Sequence, residues 1–237
     1  MDNSVALLAR QSGLLKTTQI IANNIANAST AGFKAEGTIF SEYVAAAGAD
    51  NPSLSMGHLV AHSTDFSAGS MKKTDGVFDL AINGQGFFKV NTPQGPMLTK
   101  AGAFRLDAEG LLVDAIGNNV VDEGGSAVQI PPDAVTVAVA IDGTISVDGE
   151  LFGNIGVFEP QGDMDRVGNN YWVSLDGDQP VEFPSVLQGF LEQSNVSPVA
   201  EMANLIMAQR LFDAGQTVTE QEHERLTSLI NAIRQQG

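Results

Sequence analysis

No cysteine occurs among the 237 residues, so the chain can build no disulfide, thiolate metal site or thiol nucleophile. Aromatic side chains are sparse at 6%, and basic residues are few, 12 against 28 acidic ones. The resulting formal charge of −16 offers nothing to a phosphate backbone and argues against nucleic acid as a partner. Long apolar runs are missing as well. The longest, around residues 135–141, falls well short of the roughly 18 residues a membrane span requires, so no membrane insertion is expected. Near the start, Arg10, Gln11, Ser12 and Lys16 interrupt the apolar segment that a cleaved secretory signal would need. The chain is therefore expected to remain in the cytoplasm or to leave it unprocessed.

What is present is 43% apolar residues and 25 glycines, enough for one or two domains with tight turns and short strands. Charge is unevenly placed. Residues 1–35 carry a net +2, residues 36–185 a net −15 and residues 186–237 a net −3. That pattern fits a solvated central body with interaction surfaces at both ends, or a plain solubility bias.

Helical periodicity marks the two ends. From a cap at Asn3 or Ser4 to Asn27, the apolar positions Leu7, Leu8, Leu14, Leu15, Ile21, Ala22 and Ile25 span an arc of roughly 140° at about 100° per residue, implying more than one neighbour. Ala28 to Gly32 supplies the stop. After Ser197-Pro198, a cap and first-turn pair, a second helix is expected to run to the end of the chain. Its seam positions are Met202, Leu205, Gln209, Phe212, Gln216, Thr219, His223, Leu226, Ile230 and Ile233, apolar at both ends and polar in the middle, with Gly215 a further weak point.

Between the helices, residues 36–74 read as an Ala/Gly/Ser-rich connector with a loop around Ala45 to Pro52. Residues 75–185 read as strands, among them Phe78–Ile82, Gly86–Val90, Phe104–Leu106, Thr144–Val147 and Ile155–Phe158. Turns are signalled at Asn83-Gly84, Glu109-Gly110, Asp142-Gly143, Asp148-Gly149 and Asp176-Gly177. Ile141-Asp142-Gly143-Thr144 reads as a two-residue hairpin with both central residues at positive φ.

Catalytic patterns are weak. Ser70-Met71-Lys72-Lys73 has the spacing of an acyl-enzyme serine and lysine, but the supporting motifs are absent. His58 and His62 stand four apart, as ligands on a helix would, yet no third ligand is indicated. Asp163-x-Asp165 lacks the later ligands of a calcium loop, and Gly84-Gln85-Gly86 continues into Phe87 rather than a helix. No cofactor, metal or catalytic set is expected. Asn23, Asn24 and Asn27, costly inside a helix, either end it or fix the register of packed helices.

The stretch from Asn24 through Lys34 matches N-I-A-N-x-x-T-x-G-F-K at Asn24, Ile25, Ala26, Asn27, Thr30, Gly32, Phe33 and Lys34. In this it resembles the N-terminal signature of the bacterial flagellar rod and hook proteins. Asp79 to Phe88 is similar to that family's L-D-L-A-I-x-G-x-G-F-F. Leu98 to Phe104 is similar to its Y-T-R-x-G-x-F, with Leu98 and Lys100 in place of Tyr and Arg, and Val77-Phe78 stands where Pro-Leu is common. Gln188 to Val196 and Glu201 to Phe212 resemble its closing block.

The resemblance implies an α+β fold in which long N- and C-terminal α-helices form a discontinuous coiled-coil domain and a middle antiparallel all-β domain lies outside it. The expected divisions are an N-terminal helix in 1–35, a connector in 36–74, a β domain in 75–185, and a return segment with the C-terminal helix in 186–237. It further implies a non-enzymatic subunit of the basal-body rod, spanning the periplasm, with other rod subunits and the flagellar type III export apparatus as partners and no cofactor. A proximal position in the rod is implied first, a distal one second.

Leu7, Leu14, Ile21, Ile25, Met202, Leu205, Phe212, Leu226, Ile230 and Ile233 would then form the assembly interface. Gly32 and Phe33 of the signature would belong to it, with Asn24 and Asn27 fixing register. The rival reading is a secreted acidic β domain that binds or hydrolyses a ligand, for which His58, His62 or Ser70 would have to serve.

Overall fold

The computed structural model describes residues 3–45, 54–168 and 170–235. They fall into two compact units, one drawn from Met1–Asn27, Ala35–Asp65 and Val196–Gly237, the other from Ala28–Lys34 and Phe66–Asn195.

In the first unit, α1 (Asn3–Ala26) ends where the Asn27 N–H and side-chain amide both bond to the Asn23 carbonyl, at 3.1 and 2.9 Å. α2 (Pro198–Gln235) begins where sequence chemistry puts it. Ser197 accepts the Glu201 N–H on its carbonyl at 3.0 Å, Pro198 takes the first-turn position, and the Glu201 carboxylate opposes the positive end of the helix dipole. Residues 36–45 and 54–64, expected as connector, form strands. β1 (Glu36–Ala45) and β2 (Leu54–Thr64) pair antiparallel from Glu36↔Thr64 to Ala45↔Leu54, with a register shift between Ile39 and Phe40. The rest of the expected loop, 46–52, lies outside the described residues.

The expected coiled-coil domain of two long terminal helices is corrected by this arrangement. α1 has only 24 residues against 38 for α2, and it packs on both strands of the β1–β2 hairpin as well as on α2. A shared seam would bury its apolar positions, yet Met202 is 52% and Ile233 73% exposed. The physical reason lies in the seam's centre. Gln209, Gln216, Thr219 and His223 give a partner helix nothing to bury, and the hairpin competes for the apolar face of α1.

Short strands make up the second unit. They are β3 (Met71–Lys73), β4 (Leu80–Ile82), β5 (Phe87–Thr92), β6 (Gly95–Thr99), β7 (Arg105–Leu106), β8 (Leu112–Val113), β9 (Asn119–Val120) and β10 (Val137–Val139). They continue as β11 (Thr144–Val147), β12 (Glu150–Asn154), β13 (Val157–Pro160), β14 (Met164–Gly168), β15 (Tyr171–Ser174), β16 (Asp178–Pro180), β17 (Val186–Gln188) and β18 (Phe190–Glu192).

The main sheet runs β14-β15-β6-β5-β9-β8-β7, with β13 joined to β5 and β16 to β13. Beside it stand a three-stranded sheet, β10-β11-β12, and the pairs β17-β4 and β18-β3. Successive side chains of β5 point to opposite faces, and both faces are covered. Phe88 and Val90 enter the larger core with Leu80, Ile82, Leu112 and Val120, while Phe87 joins Leu98, Val121, Phe158 and Trp172 in a second cluster.

One turn differs from expectation. At Ile141-Asp142-Gly143-Thr144 only Gly143 has positive φ, at 84°, and the loop is longer, closed by Gly143 N–H to Ala140 O and Ala140 N–H to Thr144 O. The two-residue turn with both central residues at positive φ lies one hairpin later, at Asp148 (53°) and Gly149 (88°), joining β11 to β12.

Candidate assembly interface

The signature resembling the rod and hook proteins divides between the two units. Asn24 belongs to the first, where it is buried. Its side-chain amide donates to the Glu36 carbonyl at 2.8 Å and its carbonyl oxygen accepts the Glu36 N–H at 2.9 Å. The amide thus imitates a neighbouring peptide and ties the end of α1 to the first residue of β1. Ile21 is buried nearby, while Leu14, Ile25 and Asn27 are half-buried. Asn27 bonds along the helix to Asn23.

Residues 28–34 lie within the β unit. Gly32 has a φ of +68°, and its N–H donates to the Glu192 carbonyl at 2.7 Å. A β-carbon there would come within 2.4 Å of the Lys100–Ala101 backbone, so both the conformation and the space require glycine. Phe33 is buried, with the Arg166 guanidinium 4.6 Å from its ring centre. Buried Lys34 pairs with Glu192 at 2.6 Å and donates to the Ser67 carbonyl at 2.8 Å, while the Gly69 N–H bonds the same carboxylate oxygen at 2.9 Å. Lys100 lies close by. Burial lowers its pKa to about 8, the Glu192 charge opposing that shift and the Lys34 charge adding to it, and its ammonium donates to the Gly84 carbonyl at 3.0 Å.

A second polar group of the β unit is built from Asp114, Asn118 and Tyr171. The Tyr171 hydroxyl donates to Asp114, and Asn118 donates to both residues. Burial pushes the Asp114 carboxyl up, but hydrogen bonds from Tyr171, Asn118 and the Ile116 N–H outweigh it and hold the group below the usual carboxylate range. Burial, with help from Asp114, raises the Tyr171 pKa.

One apolar surface that could meet another protein is on α2, although the β unit also exposes Val135, Leu151 and Phe183. Met202 and Ile233 are exposed on that helix, and Leu205 and Phe212 are half-buried. The seam pattern did not mark Val199, Ile206, Met207, Leu211 or Val218, all exposed on the same helix. For Ile206, Met207 and Leu211 the signal was the density of large apolar residues from Met202 to Phe212, which exceeds what one stripe can hold. The side chains of Leu7, Leu226 and Ile230 lie outside what is described.

Residues considered for catalysis are placed otherwise than their motifs require. Ser70 precedes a strand, and Lys73 pairs with Asp75 at 2.9 Å instead of turning back by one helical turn. His58 and His62 lie on β2, where four residues of extended chain span about 13 Å.

Three family models match the chain. One for flagella basal body rod protein covers residues 10–34, one for the flagellar hook protein FlgE/F/G D1 domain covers 81–147, and one for the flagellar basal body rod FlgEFG protein C-terminal region covers 187–232. The chain is 36% identical to the flagellar basal-body rod protein FlgF of Caulobacter vibrioides over 98% of each chain. It is 35% identical to FlgF of Mesorhizobium japonicum over 90% of this chain and 89% of that one. Similarity extends to FlgG of Bacillus subtilis, 32% identical over 91% of this chain and 92% of that one. On these grounds the chain belongs to the flagellar basal-body rod protein family, as a structural rod subunit of FlgF-like rather than FlgG-like character and not an enzyme.

Proposed function

We propose that this rod subunit joins its neighbours through its terminal helices and so carries torque from the motor toward the hook. It would leave the cytoplasm by the flagellar type III apparatus without loss of a signal peptide and take its place where the rod crosses the periplasm. The observation that carries this reading is the exposed apolar surface of α2. Val199, Met202, Ile206 and Ile233 are each at least half exposed, an arrangement that water disfavours and a neighbouring subunit would relieve. Leu14, Ile21, Ile25, Leu205 and Phe212 would support that surface, and Leu7, Leu226 and Ile230 would extend it. Ordering of the terminal segments on assembly would disfavour premature association of free subunits.

Met202→Asp tests the reading. A carboxylate placed in a dry contact cannot be hydrated, so cells carrying this variant should be non-motile and their basal bodies should lack the chain. The purified variant should unfold at the same denaturant concentration as the parent. Normal motility with Met202→Asp would refute assembly through α2.

A further inference from the structure

The turn between β4 and β5 holds the only Asn-Gly pair of the chain, Asn83-Gly84, and both residues are exposed. The turn is tied on either side of the pair. Asn83 donates its N–H to the Ser185 carbonyl at 2.7 Å, and the Gly84 carbonyl accepts the Lys100 ammonium at 3.0 Å. Between those ties, the Asn83 carbonyl, the Gly84 N–H and the Asn83 side-chain amide have no hydrogen-bond partner among the described residues. One peptide unit is thus free to rotate inside an anchored turn. Gly84 has a φ of +127°, and a β-carbon placed on it would meet nothing within 4 Å, so the approach to its nitrogen from that side is open.

Similar pairs elsewhere are held differently. Asp142 and Asp148, each followed by glycine, accept the N–H groups of Thr144 and of Val135 and Thr136 on their carboxylates, and Asp75 pairs with Lys73. Asp176 also precedes a glycine, but an ionised carboxylate is a poor electrophile, whereas an amide carbon with ammonia as its leaving group is not. Asn24 and Asn118 have their amides bonded, to Glu36 and to Asp114 and Tyr171, and the residues after them carry side chains.

We infer that Asn83 is a site of self-modification, at which the Gly84 nitrogen attacks the side-chain amide carbon and turns asparagine into aspartate and isoaspartate. Water takes the Gly84 amide proton, a bond forms between that nitrogen and Asn83 Cγ, and the Cγ–Nδ2 bond breaks with release of ammonia. A second water opens the cyclic imide. Addition at Cγ leaves aspartate, and addition at the backbone carbonyl leaves isoaspartate, in which the chain runs through the former side chain. Either product places a carboxylate one residue from the carbonyl that holds Lys100, in a chain already at −16.

Ageing the purified full chain in mildly alkaline buffer tests this, read by peptide mapping and by enzymatic methylation of isoaspartate. Asn83 should convert before any other asparagine, its peptide gaining about 1 Da. Opening an exposed turn costs little, so the rate should lie within about tenfold of that for the same chain unfolded in guanidinium. Protection of about a hundredfold or more by the fold would overturn the inference, since loops that open at little cost give no such protection. Earlier conversion of a different asparagine would overturn it as well.

Asn83→Gln supplies the control. Asn83 has negative φ, which glutamine adopts equally well, and the extra methylene moves the amide carbon out of reach of the small imide ring. That variant should fold as the parent does and give neither the early acidic form nor the methylation signal. Persistence of both in Asn83→Gln would assign the chemistry elsewhere and end the inference.

Discussion

The β unit and the helical unit satisfy their residues differently. In the β unit, charged residues turn inward and find partners there. Lys34 holds Glu192, Lys89 pairs with Asp178 beneath the Phe158 ring, Lys100 bonds the Gly84 carbonyl, and Arg166 stacks on Phe33. The helical unit leaves large apolar side chains of α2 in water. Neither unit buries all its large apolar residues, since Val135, Leu151 and Phe183 of the β unit are exposed too, but most of those in the helical unit share one element, α2. The family signature serves the β unit to a large extent, since Gly32, Phe33 and Lys34 are buried inside it.

Removing the buried ion pair should break the β unit most severely. Lys34→Met leaves the Glu192 carboxylate buried with the Gly69 N–H but without its directly bonded counter-charge, and breaking a buried pair in this way costs about 3–5 kcal/mol, Lys100 nearby offsetting part of it. Denaturant unfolding followed by Trp172 fluorescence should show the loss. A variant within 1 kcal/mol of the parent, by that order-of-magnitude reckoning, would mean that the signature lysine contributes little to this unit.

Local spacing revealed much of this molecule but not that pair. Ser197-Pro198 marked the start of α2, and short runs marked strands such as Thr144–Val147 and, as Gly86–Val90, most of β5 (Phe87–Thr92). The β1–β2 hairpin was hidden because Ala, Gly and Ser dominate around it and the spacing of Thr38, Phe40 and Tyr43 breaks strict alternation, as the register shift between Ile39 and Phe40 reflects. Asn24, Gly32 and Lys34 could be recognised as a motif, but their partners Glu36, Lys100 and Glu192 follow from tertiary packing that periodicity does not encode. The exposed side of α2 was partly legible, since Met202 and Ile233 fell on the seam. Ile206 and Leu211 required knowing which face α1 covers.

The two lysines beside Glu192 allow a finer test. Lys34 is paired directly, whereas burial outweighs every favourable contact of Lys100 and lowers its pKa from 10.5 to about 8. Between those values the unfolded chain holds a proton that the folded chain has released, so raising the pH through this window favours folding through Lys100. The expected gain is about 1 kcal/mol per pH unit, read as the stability of the parent minus that of Lys100→Met from pH 8 to 10. Above pH 10 the raised pKa of Tyr171 lowers the stability of parent and variant alike, because the unfolded phenol loses a proton that the folded one keeps, and so it cancels from this difference. A flat difference between pH 8 and 10 would show that Lys100 is well solvated.

The smallest effect on folding should come from the helical unit. Ile206 is 51% exposed on α2, and isoleucine and serine have similar helix propensity, so Ile206→Ser should change the unfolding free energy of the monomer by no more than about 0.5 kcal/mol. If the exposed face is an assembly surface, the same substitution should still reduce motility, because it removes apolar area from a contact that forms only between subunits. A monomer destabilised by about 2 kcal/mol or more would instead place Ile206 in the interior of its own chain, by the ordinary cost of truncating a packed aliphatic side chain. The contrast between charges paired inside the β unit and an apolar face of α2 open to neighbours would then be lost.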